Sequence, residues 1–234
     1  MELTLHAPAK VNLTLIVGAR RDDGYHDVST VMQTVGLYDT LTLTGGSGLT
    51  MTCTDPDLPT DGSNLVLRAA ALFCQELHLP VPDLHLHLQK RIPSQAGLGG
   101  GSSDAAAVLR AMRTLYAPEV SDAELERMAA ALGSDVPFFI RGGTALATGR
   151  GERLTPLPRL ADGWFVVVKP PEGFSTPAMY RRLDELPPQP PQPDGMTAAL
   201  GAGELHAVAA ALCNSFERAV PPDSAVWVIR EALR

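Results

Sequence analysis

The chain has 234 residues, of which 45% are hydrophobic and 19% are charged, a composition typical of a soluble globular protein with one large domain or two modest ones. Its formal net charge of −7 disfavours a general nucleic-acid-binding function, because such proteins present positive charge to phosphates. The three cysteines are scattered and odd in number, which favours reduced thiols in a cytoplasmic protein. No apolar run approaches the length of a membrane span, about 18 residues, so we expect no membrane partner.

The first predicted element is a strand at residues 7–17, where polar and apolar side chains alternate. Alternation places Lys10, Asn12 and Thr14 on one face of the strand and the apolar residues on the other. A polar strand face is most often simply solvated. Because Lys10 and Asn12 follow closely behind Pro8, which fixes how the chain enters the strand, a functional face is the alternative.

A hairpin turn is predicted at Asp23-Gly24, a pair that favours the tight turn between two antiparallel strands. Tyr25 and His26 lie just beyond this turn. On local evidence they are either ordinary exposed side chains or side chains that reach towards a ligand.

Further strands are predicted near residues 30–35 and 39–44, followed by a hairpin turn at the glycine-rich residues 45–48. A helix with an apolar face at helical spacing then begins at Asn64. An alternating strand comes next, and its two histidines, His85 and His87, share one face. A His-x-His pair can bind a metal ion, but no further Cys, His or carboxylate pattern supports such a site, so the metal ligands are left unassigned.

Four of the chain's 21 glycines fall within residues 97–101, between the strand at residues 84–88 and an alanine-rich helical pattern. Ser102, Ser103 and Asp104 are good N-cap residues and predict the start of that helix. A helix start offers unpaired N–H groups and positive partial charge, and glycines let its backbone approach an anion. The stretch therefore predicts a phosphate-binding loop, with a mobile linker as the alternative. It matches neither the P-loop nor the dinucleotide-binding pattern.

After that helix, Ser121 and Glu124 predict a capping box for a further helix that ends at Gly133. Asp135 follows directly. On local grounds it is equally well the N-cap of a helix with Pro137 in its first turn, or a carboxylate held on a rigid turn where a general base could be placed.

The remaining elements are predicted more coarsely. A strand within residues 142–151 closes a first domain, and residues 164–169, with the sequence WFVVVK, predict a buried strand. Residues 187–195 are proline-rich and predict an extended or mobile loop. Helical patterns follow at residues 197–212 and 224–234.

Taken together, these stretches resemble the GHMP kinase superfamily. Residues 93–103 resemble its phosphate loop, and residues 8–13, 23–26 and 133–138 resemble one branch of it. The kinases of that branch use ATP to phosphorylate the 2-hydroxyl of a cytidine diphosphate-linked methylerythritol in non-mevalonate isoprenoid biosynthesis. The resemblance implies an α+β, two-lobed GHMP-kinase fold with a mixed α/β N-terminal lobe and a smaller α/β C-terminal lobe.

The resemblance also implies the cofactors and the catalytic residues. It implies ATP and Mg²⁺, a small-molecule substrate, Asp135 as general base and Lys10 as its support. Phosphoryl transfer needs mainly alignment and charge stabilisation, and such a pair supplies both. The sequence leaves the oligomeric state open.

Substrate contacts are likewise implied by the resemblance. Asn12 and Thr176 contact the erythritol, Tyr25 and Tyr180 form the walls of a cytosine slot, and His26 hydrogen-bonds the base edge. Asn64 and Lys90 lie near the adenine of ATP. The phosphate-loop residues are Pro93, Ser94, Gln95, Ala96, Gly97, Leu98, Gly99, Gly100, Gly101, Ser102 and Ser103.

The sequence departs from the superfamily's motif pattern in its C-terminal part. The superfamily has a third Gly/Ser-rich motif there, and none follows residue 151. We therefore expect residues 1–148 to form the N-terminal lobe and residues 149–234 to form the C-terminal lobe. Judged against typical domain sizes, the C-terminal lobe lacks roughly fifty residues. We expect the chain to have low stability and weak turnover as a result. The alternatives are a nucleotide-binding protein without catalysis and a kinase for another small alcohol.

Overall fold

The structure, a computed structural model, describes residues 2–160, 163–187 and 195–233. The chain forms two units, each assembled from segments that are distant in the sequence. The first comprises Met1–Lys10, Thr34–Pro93 and Leu98–Gly142, and the second comprises Val11–Gln33, Ser94–Gly97 and Gly143–Arg234. Each unit combines strands with helices, which confirms the predicted α+β class. The predicted lobe boundary at residue 148 stays a prediction.

Two long strands begin the fold, β1 at Glu2–Arg20 and β2 at His26–Gly45. The turn between them confirms the predicted hairpin, since the Arg21 N–H donates to the carbonyl of Tyr25 at 2.7 Å. Gly24 has a φ of +84° in this turn, a left-handed conformation that glycine adopts without steric cost. Strand β2 is continuous where the sequence predicted two separate strands.

In the first unit, strand β4 (Leu84–Gln89) lies between β2 and β3 (Leu49–Cys53). It pairs antiparallel with β2 and parallel with β3, so the predicted hairpin at residues 45–48 is wrong. The glycines there allow a close approach instead, because a Cβ on Gly46 would lie 2.9 Å from the backbone nitrogen of His85. The turn passes tightly by the start of β4 rather than joining two paired strands.

The described part of the first unit also holds helices α1 (Leu65–Glu76), α2 (Gly100–Tyr116), α3 (Asp122–Leu132) and α4 (Phe138–Arg141). The capping box predicted for α3 is confirmed, because Ser121 and Glu124 cap each other's backbone. Helix α1 begins where the sequence predicted, and Asn64 is its N-cap, with a side chain that accepts the N–H of Val66. Fully burying one large apolar side chain contributes about 1.5–3 kcal/mol. Such side chains in this core include Leu41, Leu86, Phe73, Leu109, Met112 and Phe138.

In the second unit, β5 (Thr144–Thr148) pairs antiparallel with β2 and with β6 (Arg153–Pro156), and β7 (Cys213–Asn214) runs parallel to β1. The helices are α5 (Thr176–Asp184), α6 (Gly195–Ala202), α7 (Leu205–Ala210), a 3₁₀ helix (Ser215–Ala219) and α8 (Ala225–Ala232). The helix predicted over residues 197–212 is divided, because Gly203 takes a φ of +70° between α6 and α7. A cluster of buried side chains in this second unit consists of Leu13, Val31, Met196, Ala199, Leu200 and Val208.

Residues 164–169 do not form the buried strand that the sequence predicted. They have no regular secondary structure, and Trp164 is 98% exposed. Apolar and β-branched residues form a strand only where a neighbouring strand pairs with them, and none of the described strands does so. Of the proline-rich loop predicted over residues 187–195, residues 188–194 lie outside the described residues. No helix in the described ranges is long and apolar enough to cross a membrane.

Candidate active site

An ion pair between Lys10 and Asp135 lies in the first unit. Lys10 belongs to β1 and is 6% exposed, and its Nζ is 3.3 Å from Oδ2 of Asp135, whose side chain is 41% exposed. Asp135 lies on the turn between α3 and α4. It is not a helix cap there, because the N-cap position of α4 is Pro137 and no side chain caps that helix. The pair thus joins a buried ammonium to a carboxylate that a ligand can reach.

Gly99 of the glycine loop lies beside the Lys10–Asp135 ion pair. The backbone N–H of Lys10 donates to the carbonyl of Leu98 at 2.9 Å, which ties β1 to the loop. Gly99 has a φ of +72°, and a Cβ there would lie 2.8 Å from the ring of Phe139 and 3.1 Å from Cγ of Lys10. Only glycine satisfies both the backbone conformation and the close packing at this position.

Helix α2 begins earlier than the sequence predicted. Its N-cap is Gly99, so the predicted cap residues 102–104 lie inside the first turns of the helix. The first turn of α2 packs closely against Ile92, since a Cβ on Gly100 would lie 3.1 Å from Cγ2 of Ile92. The start of α2 therefore consists of glycines, whose backbone N–H groups have no side chain in front of them, as anion binding at a helix start requires.

Residues 94–97 of the predicted phosphate loop belong to the second unit, whereas Pro93 ends a segment of the first. Gln95 and Gly97 both take left-handed backbone conformations, with φ of +54° and +71°. For glutamine this conformation costs about 1–2 kcal/mol. Strain of this kind concentrates at functional sites, which is compatible with a ligand-binding role for the loop.

A buried charge cluster in the first unit consists of Asp39, Lys90 and Asp104. Nζ of Lys90 donates to Oδ2 of Asp39 at 2.5 Å and to Oδ2 of Asp104 at 2.9 Å. The other oxygen of Asp39 accepts the backbone N–H groups of Arg91 and Ile92. The cluster therefore links β2 and the segment that leaves β4 to the first turns of α2.

Asp104 has a raised pKa in this cluster, even though its carboxyl group shares the ammonium of Lys90 with Asp39. Burial raises the pKa of Asp104 to about 7, although the attraction of Lys90 acts in the opposite direction. Oδ1 of Asp104 is buried and has no hydrogen-bond partner among the described residues, which makes its negative charge more costly. Burial acts to lower the pKa of Lys90, but the two carboxylates outweigh it and raise that pKa.

The two residues predicted near the adenine both have partners within the protein. Lys90 is engaged by the buried charge cluster. Asn64 caps α1 through Oδ1, which accepts the N–H of Val66 at 2.9 Å, while its Nδ2 donates to the carbonyl of Pro59 at 2.7 Å. The adenine contacts of both residues stay predictions.

In the second unit, His26 is held by residues of helix α5. Its Nε2 is 2.7 Å from Oδ1 of Asp184, and its ring stacks on Tyr180 with centroids 5.0 Å apart and planes inclined by 16°. Tyr180 in turn packs edge-on against Phe216. The structure thus brings together two of the predicted substrate-binding residues, His26 and Tyr180.

The other predicted substrate-binding residues of the second unit have separate surroundings. Tyr25 is 54% exposed, and the guanidinium of Arg150 lies 4.9 Å from its ring centroid. Asn12 donates from Nδ2 to Oγ1 of Thr30 at 2.6 Å, which orients its amide. Thr176 is exposed at the first position of α5. Their contacts with a substrate stay predictions.

No metal-binding cluster is preformed in the described ranges, which contain no suitable group of three His, Cys, Asp or Glu side chains. His85 and His87 form hydrogen bonds to Thr50 and Thr52. In phosphoryl-transfer sites, Mg²⁺ is commonly held by substrate phosphates with one or two carboxylates. The predicted Mg²⁺ stays a prediction.

Sequence patterns alone do not single out Asp39 or Asp184, and they mark Asp104 only as a possible N-cap. Each acts through a partner that the fold brings from elsewhere, and His26 and Asp184 are separated by 158 positions. The one available signal is the four-residue spacing of Tyr180 and Asp184, which puts both on one face of a helix.

Comparison with known proteins identifies close relatives. Residues 64–143 match the family model described as GHMP kinases N terminal domain. A 4-diphosphocytidyl-2-C-methyl-D-erythritol kinase from Nocardioides sp. is 45% identical over 225 residues, which cover 92% of this chain and 75% of the relative. One from Streptomyces avermitilis is 43% identical over 227 residues, covering 94% and 76%. The chain spans about three quarters of the length of these relatives.

Solved structures are similar as well. The crystal structure of a 4-(cytidine 5'-diphospho)-2C-methyl-D-erythritol kinase has a TM-score of 0.68 and 39% identity, covering 86% of this chain and 72% of its own. Homoserine kinase from Cytophaga hutchinsonii has a TM-score of 0.63 over 91% of this chain and 71% of its own. At 17% identity, the second likeness concerns the fold alone. These structures confirm the predicted GHMP-kinase fold.

Proposed function

The chain belongs to the 4-diphosphocytidyl-2-C-methyl-D-erythritol kinase family, and from this premise we propose that it transfers the γ-phosphoryl group of ATP to the 2-hydroxyl of 4-diphosphocytidyl-2-C-methyl-D-erythritol. It is an ATP-dependent kinase of non-mevalonate isoprenoid biosynthesis. The structural observation that carries the proposal is the ion pair of Lys10 and Asp135 beside Gly99, at the start of α2.

Asp135 acts as the general base. The substrate hydroxyl oxygen attacks the γ-phosphorus, the bond between that phosphorus and the bridging oxygen of ADP breaks, and the hydroxyl proton passes to the Asp135 carboxylate. The exposed carboxylate suits this role, because it can come within hydrogen-bond distance of a substrate hydroxyl. Lys10, held 3.3 Å from it and buried, stabilises the negative charge that develops during transfer.

The glycine-rich start of α2 binds the ATP phosphates. Its backbone N–H groups and its macrodipole favour negative charge, and Gly99 and Gly100 keep side chains out of the way. The buried charge cluster fixes the helix at Asp104, so this backbone keeps its position. We assign Mg²⁺ to the phosphate oxygens of ATP, where it would neutralise charge on the transferring group.

The acceptor substrate is recognised at both of its ends. Asn12 and Thr176 contact the erythritol. Tyr25 stacks on the cytosine, Tyr180 contributes the second wall of the slot, and His26 hydrogen-bonds the edge of the base. Stacking a base on an aromatic ring contributes about 1–3 kcal/mol, so the nucleotide half of the substrate is an effective anchor.

The setting of this activity is the cytoplasm. The three cysteines are scattered along the chain and odd in number, as expected for reduced thiols in a reducing compartment. The net charge of −7 disfavours a general nucleic-acid-binding function.

Asp135→Asn tests the proposed mechanism. It should lower kcat by about 10²–10⁴-fold, because the amide cannot accept the hydroxyl proton, while the Kd for ATP stays within a few fold. Product formation is followed by ³¹P NMR and ATP binding by calorimetry. Glu119→Gln, which neutralises an exposed carboxylate elsewhere in the first unit, is the matched control. Near-normal turnover of Asp135→Asn would rule out the general-base role.

A further inference from the structure

We propose that Arg150 binds the diphosphate of the acceptor substrate from beside Tyr25, and that it is thus a further substrate-binding residue of the second unit. The proposal rests on the proposed function, in which the cytosine stacks on Tyr25. It deepens that function, because the residues assigned above contact the erythritol and the base. Arg150 supplies the positive charge that the diphosphate between those two ends requires.

Arg150 lies on the turn between β5 and β6, close to Tyr25. Its guanidinium carbon is 4.9 Å from the centroid of the Tyr25 ring and lies over that ring. A backbone hydrogen bond ties the turn to β2, because the N–H of Val28 donates to the carbonyl of Gly149 at 2.7 Å. The backbone N–H of Arg150 itself donates to a carboxylate oxygen of Glu152 at 2.6 Å. These bonds hold the backbone of Arg150 in place next to the ring.

No carboxylate pairs with the guanidinium of Arg150 within the part of the chain that the structure describes. Asp23 and Asp27, on either side of Tyr25 in the sequence, pair with Arg21 at 3.2 and 2.8 Å. The carboxylate of Glu152 accepts the backbone N–H of Arg150 and not its side chain. The side chain of Arg150 is exposed. Its positive charge is therefore available to an anionic ligand that reaches the Tyr25 ring.

The position of Arg150 over the ring leaves its hydrogen-bonding capacity available. A guanidinium is planar and carries several N–H groups around its rim. Contact with the Tyr25 ring occupies only part of this group, so the remaining N–H groups can donate to phosphate oxygens. Tyr25 stays 54% exposed, which leaves the other face of its ring to the cytosine. One aromatic ring thus holds the base and the arginine that binds the phosphates.

The chemistry of the substrate separates the contribution of Arg150 from that of Tyr25. The ribose joins the cytosine to the diphosphate, so a base stacked on Tyr25 brings the phosphates close to that ring. Phosphate groups are negatively charged and form paired, charge-assisted hydrogen bonds with arginine. Cytosine and ribose are uncharged at neutral pH and gain little from such a group. Arg150 should therefore favour a cytidine ligand that carries phosphates over one that does not.

Calorimetry with cytidine diphosphate and with cytidine measures this preference, in the presence of a saturating non-hydrolysable ATP analogue that fills the ATP site. The unmodified chain should bind cytidine diphosphate more tightly. The ratio of the two Kd values should fall by about tenfold in Arg150→Gln, the lower end of the range for hydrogen bonds to a charged group. Arg150→Lys keeps the charge without the planar fork and should retain part of the ratio. Arg153→Gln removes the same charge from an exposed position on β6 and should leave the ratio unchanged.

An unchanged ratio in Arg150→Gln would overturn the proposal, and so would equal affinity of the unmodified chain for cytidine diphosphate and cytidine. Equal losses for both ligands would mean that Arg150 only supports the Tyr25 ring. Incomplete folding alters the binding stoichiometry and not this ratio. A chain that shows the expected ratios but forms no phosphorylated product would contradict the proposed kinase activity and leave the role of Arg150 standing. An active kinase with an unchanged ratio in Arg150→Gln would do the reverse.

Discussion

Asp104→Asn removes one ionisable group from the buried charge cluster while keeping the size and shape of the side chain. In the folded chain, burial raises the pKa of Asp104 from 3.8 to about 7. A difference of about 3 pH units corresponds to about 4 kcal/mol at most. This is the free energy that the folded state loses, relative to the unfolded chain, once Asp104 is ionised.

The sign of the pH dependence follows from proton binding. Between the two pKa values the folded state keeps a proton that the unfolded chain has released. The contribution of Asp104 to the free energy of unfolding is therefore complete below its unfolded pKa of 3.8 and is lost as the pH rises through about 7. Between about pH 5 and pH 7 the unmodified chain should lose about 2–3 kcal/mol relative to Asp104→Asn. Above about pH 8 the difference should stay constant.

Urea unfolding followed by circular dichroism, repeated over this pH range, measures the difference. The two proteins should share the same m-value, because the same surface is exposed on unfolding. Asp57→Asn, which changes an exposed residue, is the control and should follow the pH dependence of the unmodified chain. If Asp104→Asn also ran parallel to the unmodified chain, Asp104 would be ionised throughout, and Lys90 would outweigh burial.

Three further outcomes are expected. Lys10→Ala should lower kcat by about 10²-fold or more with an unchanged Kd for ATP, and an effect on the nucleotide KM alone would make Lys10 a phosphate contact. Tyr25→Ala should weaken binding of the cytidine substrate by about 1–3 kcal/mol in calorimetry, and an equal loss for ATP would indicate a folding defect instead. Gly99→Ala should unfold at a lower urea concentration than Gly97→Ala, because both positions have left-handed backbones but only a Cβ at Gly99 meets the ring of Phe139, at 2.8 Å. Equal midpoints would contradict this packing argument.

Local signals account for what the sequence predicts correctly. Asn64 and Ser121 cap their helices because a side-chain oxygen reaches a backbone N–H only two or three residues away. The turn at Gly24 forms because glycine accepts a left-handed backbone. The glycine loop is recognisable for the same reason, since its conformation depends on residues adjacent to one another in the sequence.

Contacts between distant segments are what the sequence does not reveal. The glycines at residues 45–48 indicate a turn, but whether the flanking strands pair depends on β4, which lies between them. The apolar residues 164–169 predict a buried strand, yet burial requires a partner surface that no local pattern describes. The contacts of Asp39 with Lys90 and of Asp184 with His26 likewise exist only because the fold brings these residues together.

The most direct test of the kinase assignment is to incubate the purified chain with ATP, Mg²⁺ and 4-diphosphocytidyl-2-C-methyl-D-erythritol and to identify the products. We expect ADP and a substrate that carries one added phosphate at its 2-hydroxyl, identified by ³¹P NMR and mass spectrometry, and about 10²–10⁴-fold slower formation of this product by Asp135→Asn. Binding of both ligands without a phosphorylated product, or preferential phosphorylation of a different small alcohol, would contradict the kinase assignment.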